Sequence, residues 1–131
     1  MLGSSDLVAF VATTNLDRAR TFYAGTLGLS LVEESPFACV FDAHGTTLRV
    51  TPVGELHVAP YTVLGWTVDD IAVTVRSLGA DGVSFERFAG MDQDESGVWT
   101  APNGAQVAWF TDPDGNVLSV TQAPPLSDGA S

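Results

Sequence analysis

An internal repeat constrains the fold of this 131-residue chain more than any other feature. Residues 14–31 align with residues 68–85, and residues 37–51 align with residues 107–121, with matching glycines and matching turn aspartates. Each half begins with a helix-capping residue, continues through about three helical turns and ends in a glycine-rich segment that leads into a strand. The repeat predicts two copies of one structural unit.

Hydrophobic periodicity and turn residues assign the same elements to both halves: a strand, a helix and three further strands. The predicted fold class is therefore α+β, with two βαβββ modules in a single domain, at about residues 6–52 and 61–122. An insertion lengthens the second half, and residues 123–131 are predicted to form a disordered tail. The predicted elements are strands at 7–13, 29–32, 37–41, 46–51, 62–67, 83–85, 105–111 and 117–122, and helices at 16–24 and 70–78.

The charge balance excludes some classes of partner. Sixteen acidic residues against five arginines give a net charge of −11, and a surface of that sign repels phosphate backbones and anionic lipids. We therefore expect neither nucleic acid nor membrane as a partner.

The N-terminus lacks a secretory pattern, and no apolar run approaches the roughly 18 residues of a membrane span, so we expect a cytoplasmic protein. Cys39, the single cysteine, lies in an apolar run and is interpreted as a buried structural thiol.

Three motifs occur in order along the chain: NLDRARTFYAGTLGL at 15–29, VDDI with a following GADGV within 68–83, and DPDGNVL at 112–118. With these motifs the chain resembles the vicinal oxygen chelate superfamily, which includes glyoxalases, bleomycin-resistance proteins, fosfomycin-resistance enzymes and extradiol dioxygenases. The resemblance covers roughly residues 6–122. It implies paired βαβββ modules whose sheets curl around a central cavity, and commonly a dimer.

In the metal-dependent members of that family, four cavity-facing strand positions supply His, Glu or Gln ligands. The resemblance carries these positions, residue by residue, to Val8, Arg49, Val63 and Ser119. Valine has no donor atom, arginine brings a fixed positive charge, and a single serine hydroxyl is a weak ligand. The two histidines, His44 and His57, lie in a turn and in a linker outside these strands. We therefore expect no metal and no cofactor.

Alternation of side chains along strands extends this set to a cavity wall. The wall is expected to be apolar and aromatic, with hydroxyl groups and one arginine, which is the usual make-up of a small-molecule site. Two-residue turns are expected to pair Ala38 with Arg49 and Ala108 with Ser119, which turns Phe110 inward and places Trp109 under the helices. The predicted ligand-binding residues are Val8, Phe10, Ala38, Val40, Thr47, Arg49, Thr51, Tyr61, Val63, Met91, Trp99, Phe110, Ser119 and Thr121.

The insertion has two interpretations. Residues 88–103 carry Phe88, Met91 and Trp99 among polar residues and show no strong periodicity. They form either an ordinary surface loop anchored by its aromatic side chains or a lid over the cavity mouth, because long loops with large apolar side chains often close functional sites.

Two classes of function remain open. The first is a protein that binds or sequesters a small, partly aromatic or anionic molecule without chemistry, as bleomycin-resistance-like members do. The second is a lyase, isomerase or dioxygenase, with unrecognised metal ligands or with Arg49 stabilising an anion. The predicted cavity offers no general base or nucleophile apart from Asp6 at its rim and Tyr61, which favours binding and leaves catalytic residues unassigned. We also expect a homodimer, because some strand edges lack an obvious cover.

Overall fold

The computed structural model describes residues 1–125, so part of the predicted tail lies outside the described residues. The chain divides into two compact units. The first unit contains Met1–Pro60 together with Asp112–Asn116, and the second contains Tyr61–Thr111 and the chain from Val117. No helix among the described residues is long and apolar enough to cross a membrane.

The first unit has a four-stranded sheet in the order β1-β4-β3-β2, with β1 parallel to β4 and the other pairs antiparallel. Helix α1 contacts β3 and β4. A 3₁₀ turn at Leu2–Ser4 precedes the sheet, and a π-helical segment at Thr21–Thr26 continues α1. The elements are β1 Val8–Thr13, α1 Leu16–Arg20, β2 Ser30–Ser35, β3 Ala38–Ala43 and β4 Thr46–Pro52.

The second unit has the same arrangement, with the sheet order β5-β8-β7-β6 and a parallel β5–β8 pair. Helix α2 contacts β7 and β8. The α+β fold of two βαβββ modules predicted from the repeat is therefore confirmed. The elements are β5 Thr62–Thr67, α2 Ile71–Ala80, β6 Trp99–Thr100, β7 Gln106–Thr111 and β8 Val117–Gln122.

Side-chain caps start both helices, the first at the predicted Asn15 and the second at Asp70, one residue after the predicted cap Asp69. The Asn15 side chain accepts a hydrogen bond from the backbone N–H of Arg18 at 3.0 Å, and the Asp70 side chain accepts one from Val73 at 3.2 Å. Each cap satisfies a backbone donor that the first helical turn leaves without a partner. The predicted first helix differs at its end, because the α-helical bonding stops at Arg20 and the wider π-helical turn carries Tyr23.

The helix-facing side of each sheet forms a core. In the first unit this core holds Val11, Ala19, Tyr23, Cys39, Phe41, Leu48 and Val50. In the second unit it holds Ile71, Val75, Ala108, Phe110, Leu118 and Val120. The buried thiol expected at Cys39 is part of this core, and burial raises the pKa of Cys39.

The prediction of a strand at residues 83–85, just before the insertion, is wrong. Residues 83–85 do not form a strand, and Phe85 makes only an isolated bridge with Phe110. The fourth strand of the second sheet is Trp99–Thr100, which pairs with Val107 and Gln106. Two segments therefore pair with the outer edge of β7. Trp99–Thr100 pairs with one part of it, and Glu86 donates its backbone N–H to the Trp109 carbonyl at 2.7 Å in the other part. The insertion interrupts the edge strand, so its sequence pattern does not predict a continuous one.

The turn Asp112–Asn116 joins β7 to β8 in the chain but belongs to the first unit. The Asp112 carboxylate accepts hydrogen bonds from the Tyr23 hydroxyl at 2.7 Å and from the Asn116 side-chain amide at 2.8 Å. It also accepts bonds from the backbone N–H groups of Asp114 and Asn116. Burial, followed by the charge and hydrogen bond of Asp112, raises the pKa of Tyr23. The pair therefore keeps the tyrosine protonated as a donor.

Asp114 attaches the same turn to the start of α1. Its carboxylate accepts bonds from the Thr13 hydroxyl, from the backbone and hydroxyl of Thr14, and from the Arg18 guanidinium at 2.8 Å. Burial opposes ionisation, but these bonds and the charge of Arg18 together lower the pKa of Asp114. The turn motif is thus a structural anchor of the first unit.

Candidate functional site

The first sheet has a face turned away from α1, which we name the Arg49 face. Arg49 lies on β4 between Phe10 of β1 and Val40 of β3. Phe10 is 63% exposed, whereas Val40 is buried. The predicted residues that share this face are Val8, Phe10, Ala38, Val40, Thr47, Arg49 and Thr51.

The β3–β4 turn corrects one predicted pair. Val40, not Ala38, lies opposite Arg49. Pairing Ala38 with Arg49 requires a two-residue turn at 43–44, whereas the observed turn is one residue later, at His44–Gly45, where both residues have positive φ, 51° and 93°, as a type I′ hairpin turn requires. The shift is two residues, so Ala38 and Val40 keep the predicted face.

The Arg49 side chain is half-buried. Among residues 1–125 it forms neither a salt bridge nor a side-chain hydrogen bond, although Arg18 and Arg20 both form ion pairs. Its neighbours across the strands, Phe10 and Val40, are apolar. A guanidinium in these surroundings is available to a planar anion.

An acidic residue on the same face was missed by the sequence analysis. Glu33 lies opposite Val40 in β2, so its side chain is on the Arg49 face. The predicted strand ended at Val32, but the register shifts between Leu31 and Glu33 and the strand continues to Ser35. Such a bulge changes which residues face each side, and the sequence carries no clear signal for it.

The second sheet has a corresponding face turned away from α2, which we name the Ser119 face. Ser119 lies on β8 between Gly65 of β5 and Trp109 of β7. Val63 lies at a register irregularity in β5, and Tyr61 precedes that strand and is exposed. The Ser119 face carries Gly65, Trp99, Val107, Trp109, Ser119 and Thr121.

Three predicted orientations on β7 are reversed. Phe110, predicted to line the cavity, lies opposite Leu118, is 1% exposed and packs its ring 5.6 Å from that of Phe85 in the helix-side core. Ala108 is buried on the same side, opposite Val120. Trp109, predicted under the helix, lies opposite Ser119 instead. The cause is the longer turn Asp112–Asn116, which closes on Thr111 and Val117 and shifts the register by one residue relative to the repeat.

Three aromatic side chains cluster on the Ser119 face. The Trp109 ring lies 6.2 Å from the Trp99 ring and 5.5 Å from the Phe88 ring, in tilted and edge-on geometries respectively. Such geometries are favourable for aromatic pairs. Trp99 therefore contributes to the site from strand β6, and no lid is needed to bring it to the sheet.

The inserted segment is held by bonds within itself. The Gln93 side-chain amide donates to the carbonyls of Glu86 and Gly97, and the Arg87 guanidinium donates to the carbonyls of Gln93 and Glu95. Met91, predicted to contact ligand, is half-buried and bonds through its backbone N–H to the Phe88 carbonyl. The segment is thus braced around Gln93.

The side chains at the predicted metal positions do not fit a metal ion. Val8 and Val63 offer no donor atoms, and Arg49 is cationic. Within residues 1–125 no group of three or more His, Cys, Asp or Glu is arranged to hold a metal. His44 occupies the β3–β4 turn, and His57 lies 3.4 Å from Glu55 on an exposed segment.

Two surface depressions, of about 290 and 450 Å³, lie beside α2. The smaller is lined by polar and acidic side chains, including Asp94 and Gln122, and the larger includes Val75 and Phe85. Neither contains a residue predicted to bind ligand. The side chains predicted to bind ligand lie on or beside the two sheet faces instead.

Comparison with known proteins gives a family. The model of the glyoxalase/bleomycin resistance protein/dioxygenase superfamily matches residues 6–120. No significant match was found among curated proteins.

Solved structures give the fold. A member of the same superfamily from Sphaerobacter thermophilus DSM 20745 is similar with a TM-score of 0.73 and 21% identity, over 92% of this chain and 98% of that one. A lactoylglutathione lyase from Agrobacterium tumefaciens has a TM-score of 0.71 and 19% identity, over 92% and 94%. A glyoxalase/bleomycin resistance protein/dioxygenase from Alicyclobacillus acidocaldarius has a TM-score of 0.66 and 20% identity, over 91% of both chains.

Proposed function

We propose that this chain, which belongs to the glyoxalase/bleomycin resistance protein/dioxygenase superfamily, binds or sequesters a small aromatic molecule without a bound metal. The observation that carries the proposal is the pairing of Trp99 and Trp109 on the Ser119 face. Aromatic walls with few polar groups are the usual form of small-molecule sites. The donor set at Val8, Arg49, Val63 and Ser119 supports the metal-free part of the proposal.

Arg49 is the proposed partner of an anionic group. Charge-assisted hydrogen bonds from a guanidinium to a carboxylate contribute roughly 1.5–3 kcal/mol, and more geometric specificity than a lysine gives. The exposed ring of Phe10, directly across the strand from Arg49, offers an apolar surface to the ligand's ring. The proposed ligand on this face is therefore an aromatic carboxylate or phenolate.

The test uses 1-naphthoate as the probe and isothermal titration calorimetry as the measurement. Arg49→Met is expected to weaken binding about tenfold, because losing roughly 1.4 kcal/mol corresponds to one decade in affinity. Metal analysis of the dialysed wild-type protein should find no stoichiometric Zn, Fe, Mn, Ni or Mg, and native mass spectrometry of freshly purified protein will detect any ligand carried through purification.

The matched control is Arg76→Met. Arg76 is exposed on α2 and forms no salt bridge with another residue of the described chain, so its loss removes the same charge without touching the Arg49 face. It should leave the affinity for 1-naphthoate within about twofold, since exposed charges act weakly across solvent. Equal affinities of wild type and Arg49→Met, with native circular dichroism, would remove Arg49 from the site.

Glu33 supports a second candidate function, an enzyme. A carboxylate and an unpaired guanidinium on one sheet face are the groups that proton abstraction and anion stabilisation require. The alternative is a lyase, isomerase or dioxygenase with an atypical site. A lactoylglutathione lyase assay tests it in one form, and activity in the wild type that disappears in Glu33→Gln would favour the enzyme over the binding protein.

A homodimer also stays a proposal. β1 and β2 form the edges of the first sheet, and large apolar side chains near β1, including Leu7 and Phe10, are exposed. Exposed apolar side chains along a free strand edge favour self-association. Light scattering at micromolar protein should therefore give twice the mass of the chain, and Phe10→Ser should move the equilibrium towards the monomer. A monomer mass for the wild type under these conditions contradicts the proposal.

A further inference from the structure

Ser119 is a largely buried residue whose hydroxyl group remains accessible and has no hydrogen-bond partner in the described part of the chain. Ser119 is 8% exposed, and its side chain forms no hydrogen bond with another residue of the described chain. No fully buried side-chain oxygen or nitrogen of the described residues lacks a hydrogen-bond partner, so this unbonded hydroxyl is one that a ligand can reach. A hydroxyl that keeps both its donor and its acceptor capacity is therefore free to bond a ligand.

Gly65 leaves the space that gives access to this hydroxyl. Gly65 lies opposite Ser119 in the parallel pair, and a Cβ atom at residue 65 would lie 2.7 Å from the Ser119 Oγ. Any side chain at this position would meet the hydroxyl. Gly65 does not have a positive φ angle, so its backbone conformation does not require glycine. A glycine within a strand often marks a close approach by a ligand or another group.

The aromatic wall lies on the other side of the hydroxyl. Trp109 is opposite Ser119 in the antiparallel pair, and its ring packs against those of Trp99 and Phe88. Side chains directly opposite each other have Cβ atoms roughly 4.5–5.5 Å apart. A planar ring that contacts Trp109 thus brings its edge to Ser119.

We propose that Ser119 and Gly65 form a hydrogen-bonding subsite for a neutral hydroxyl group on the edge of an aromatic ligand. The inference rests on the proposed function, since it assigns the polar substituent of the small aromatic molecule. A neutral group is favoured over an anion because the Ser119 face carries no arginine and the chain has a net charge of −11. A hydroxyl matches the serine, because each group both donates and accepts.

The test compares two probes of nearly equal shape, 2-naphthol and 2-methylnaphthalene, by titration into ¹⁵N-labelled protein. The readout is the set of indole N–H signals. Those of Trp99 and Trp109 should shift, whereas that of Trp66, which lies opposite Val120 and away from Ser119, should not. Wild type should bind 2-naphthol about three- to tenfold more tightly, the range expected for one neutral hydrogen bond.

Ser119→Ala should bind both probes equally and retain its thermal midpoint, since the lost hydroxyl has no partner in the protein. Gly65→Ala should reduce the preference by filling the opening. The matched control is Thr67→Val, which removes a hydroxyl from the same face of the second sheet, two residues after Gly65 in β5, and should keep the preference.

The outcomes separate the two proposals. Equal binding of the probes by wild type, or a preference that survives in Ser119→Ala, overturns the subsite and leaves the aromatic site intact. If neither probe shifts the Trp99 or Trp109 signals at millimolar concentration, the aromatic site and the subsite are both overturned.

Discussion

Replacing Asp112 with alanine is expected to lower the free energy of unfolding by roughly 3–4 kcal/mol. The carboxylate accepts bonds from the buried Tyr23 hydroxyl and from the side chain and backbone of Asn116. Its removal leaves these donors unsatisfied in a region where Tyr23 is fully buried. Leaving several buried polar groups without partners is one of the few causes of a large single-residue effect.

The repeat supplies the control for this experiment. Asp42 occupies the position in the first half that corresponds to Asp112, but it is exposed and its side chain accepts a single bond, from the Gly45 N–H at 3.0 Å. Asp42→Ala should therefore cost under about 1 kcal/mol. Urea denaturation followed by circular dichroism measures both variants. Similar losses in the two would show that Asp112 acts as an ordinary turn residue.

The fold was predictable because its signals are local. Asn15 marks the start of the first helix, the adjacent Asp69 and Asp70 mark the start of the second to within one residue, and Gly28 and Gly82 end the helical segments with positive φ. These signals occur twice at matching positions, so one half supports the assignment of the other. Helix and strand order followed without knowledge of long-range contacts.

Register was harder to predict, because it depends on contacts between distant residues. The bulge at Val32 brings Glu33 to the Arg49 face, and no nearby residue type indicates it. The insertion moves the fourth strand of the second sheet from residues 83–85 to Trp99–Thr100, whose partner is Val107. Edge strands are held on one side only, and their sequence patterns are correspondingly weak.

The candidate site was predicted in part. Arg49 and Ser119 lie on the faces that alternation assigned, with Phe10 and Gly65 beside them. The aromatic side of the second face is the reverse of the predicted one, because the repeat implies equivalent registers for the two hairpins and the structure has different ones. The bonds that Asp112 makes across its turn give the second hairpin a different closure, and one residue of slip exchanges Trp109 and Phe110.

Because Phe110, and not Trp109, lies in the helix-side core, its substitution should have a large effect on stability. Phe110→Ala is expected to cost roughly 3–5 kcal/mol of stability, because it removes a fully buried ring beside Phe85 and Leu118 and leaves a cavity. Trp109→Ala, one residue away on the same strand, removes a half-exposed ring and should cost under about 2 kcal/mol. Urea denaturation of both variants gives the two values.

The two residues should have the opposite effects on ligand binding, with Trp109 mattering more than Phe110. Trp109→Ala should lose most of its affinity for 2-naphthol, because the ring stacks on this side chain, while Phe110→Leu, a milder core variant that keeps the fold, should bind within about threefold of wild type. The reverse pattern, with Trp109 needed for stability and Phe110 needed for binding, would mean that Phe110 faces the ligand, as alternation from a two-residue turn predicts. Because neighbouring residues on a strand face opposite sides of the sheet, these two substitutions decide which face of β7 binds the ligand.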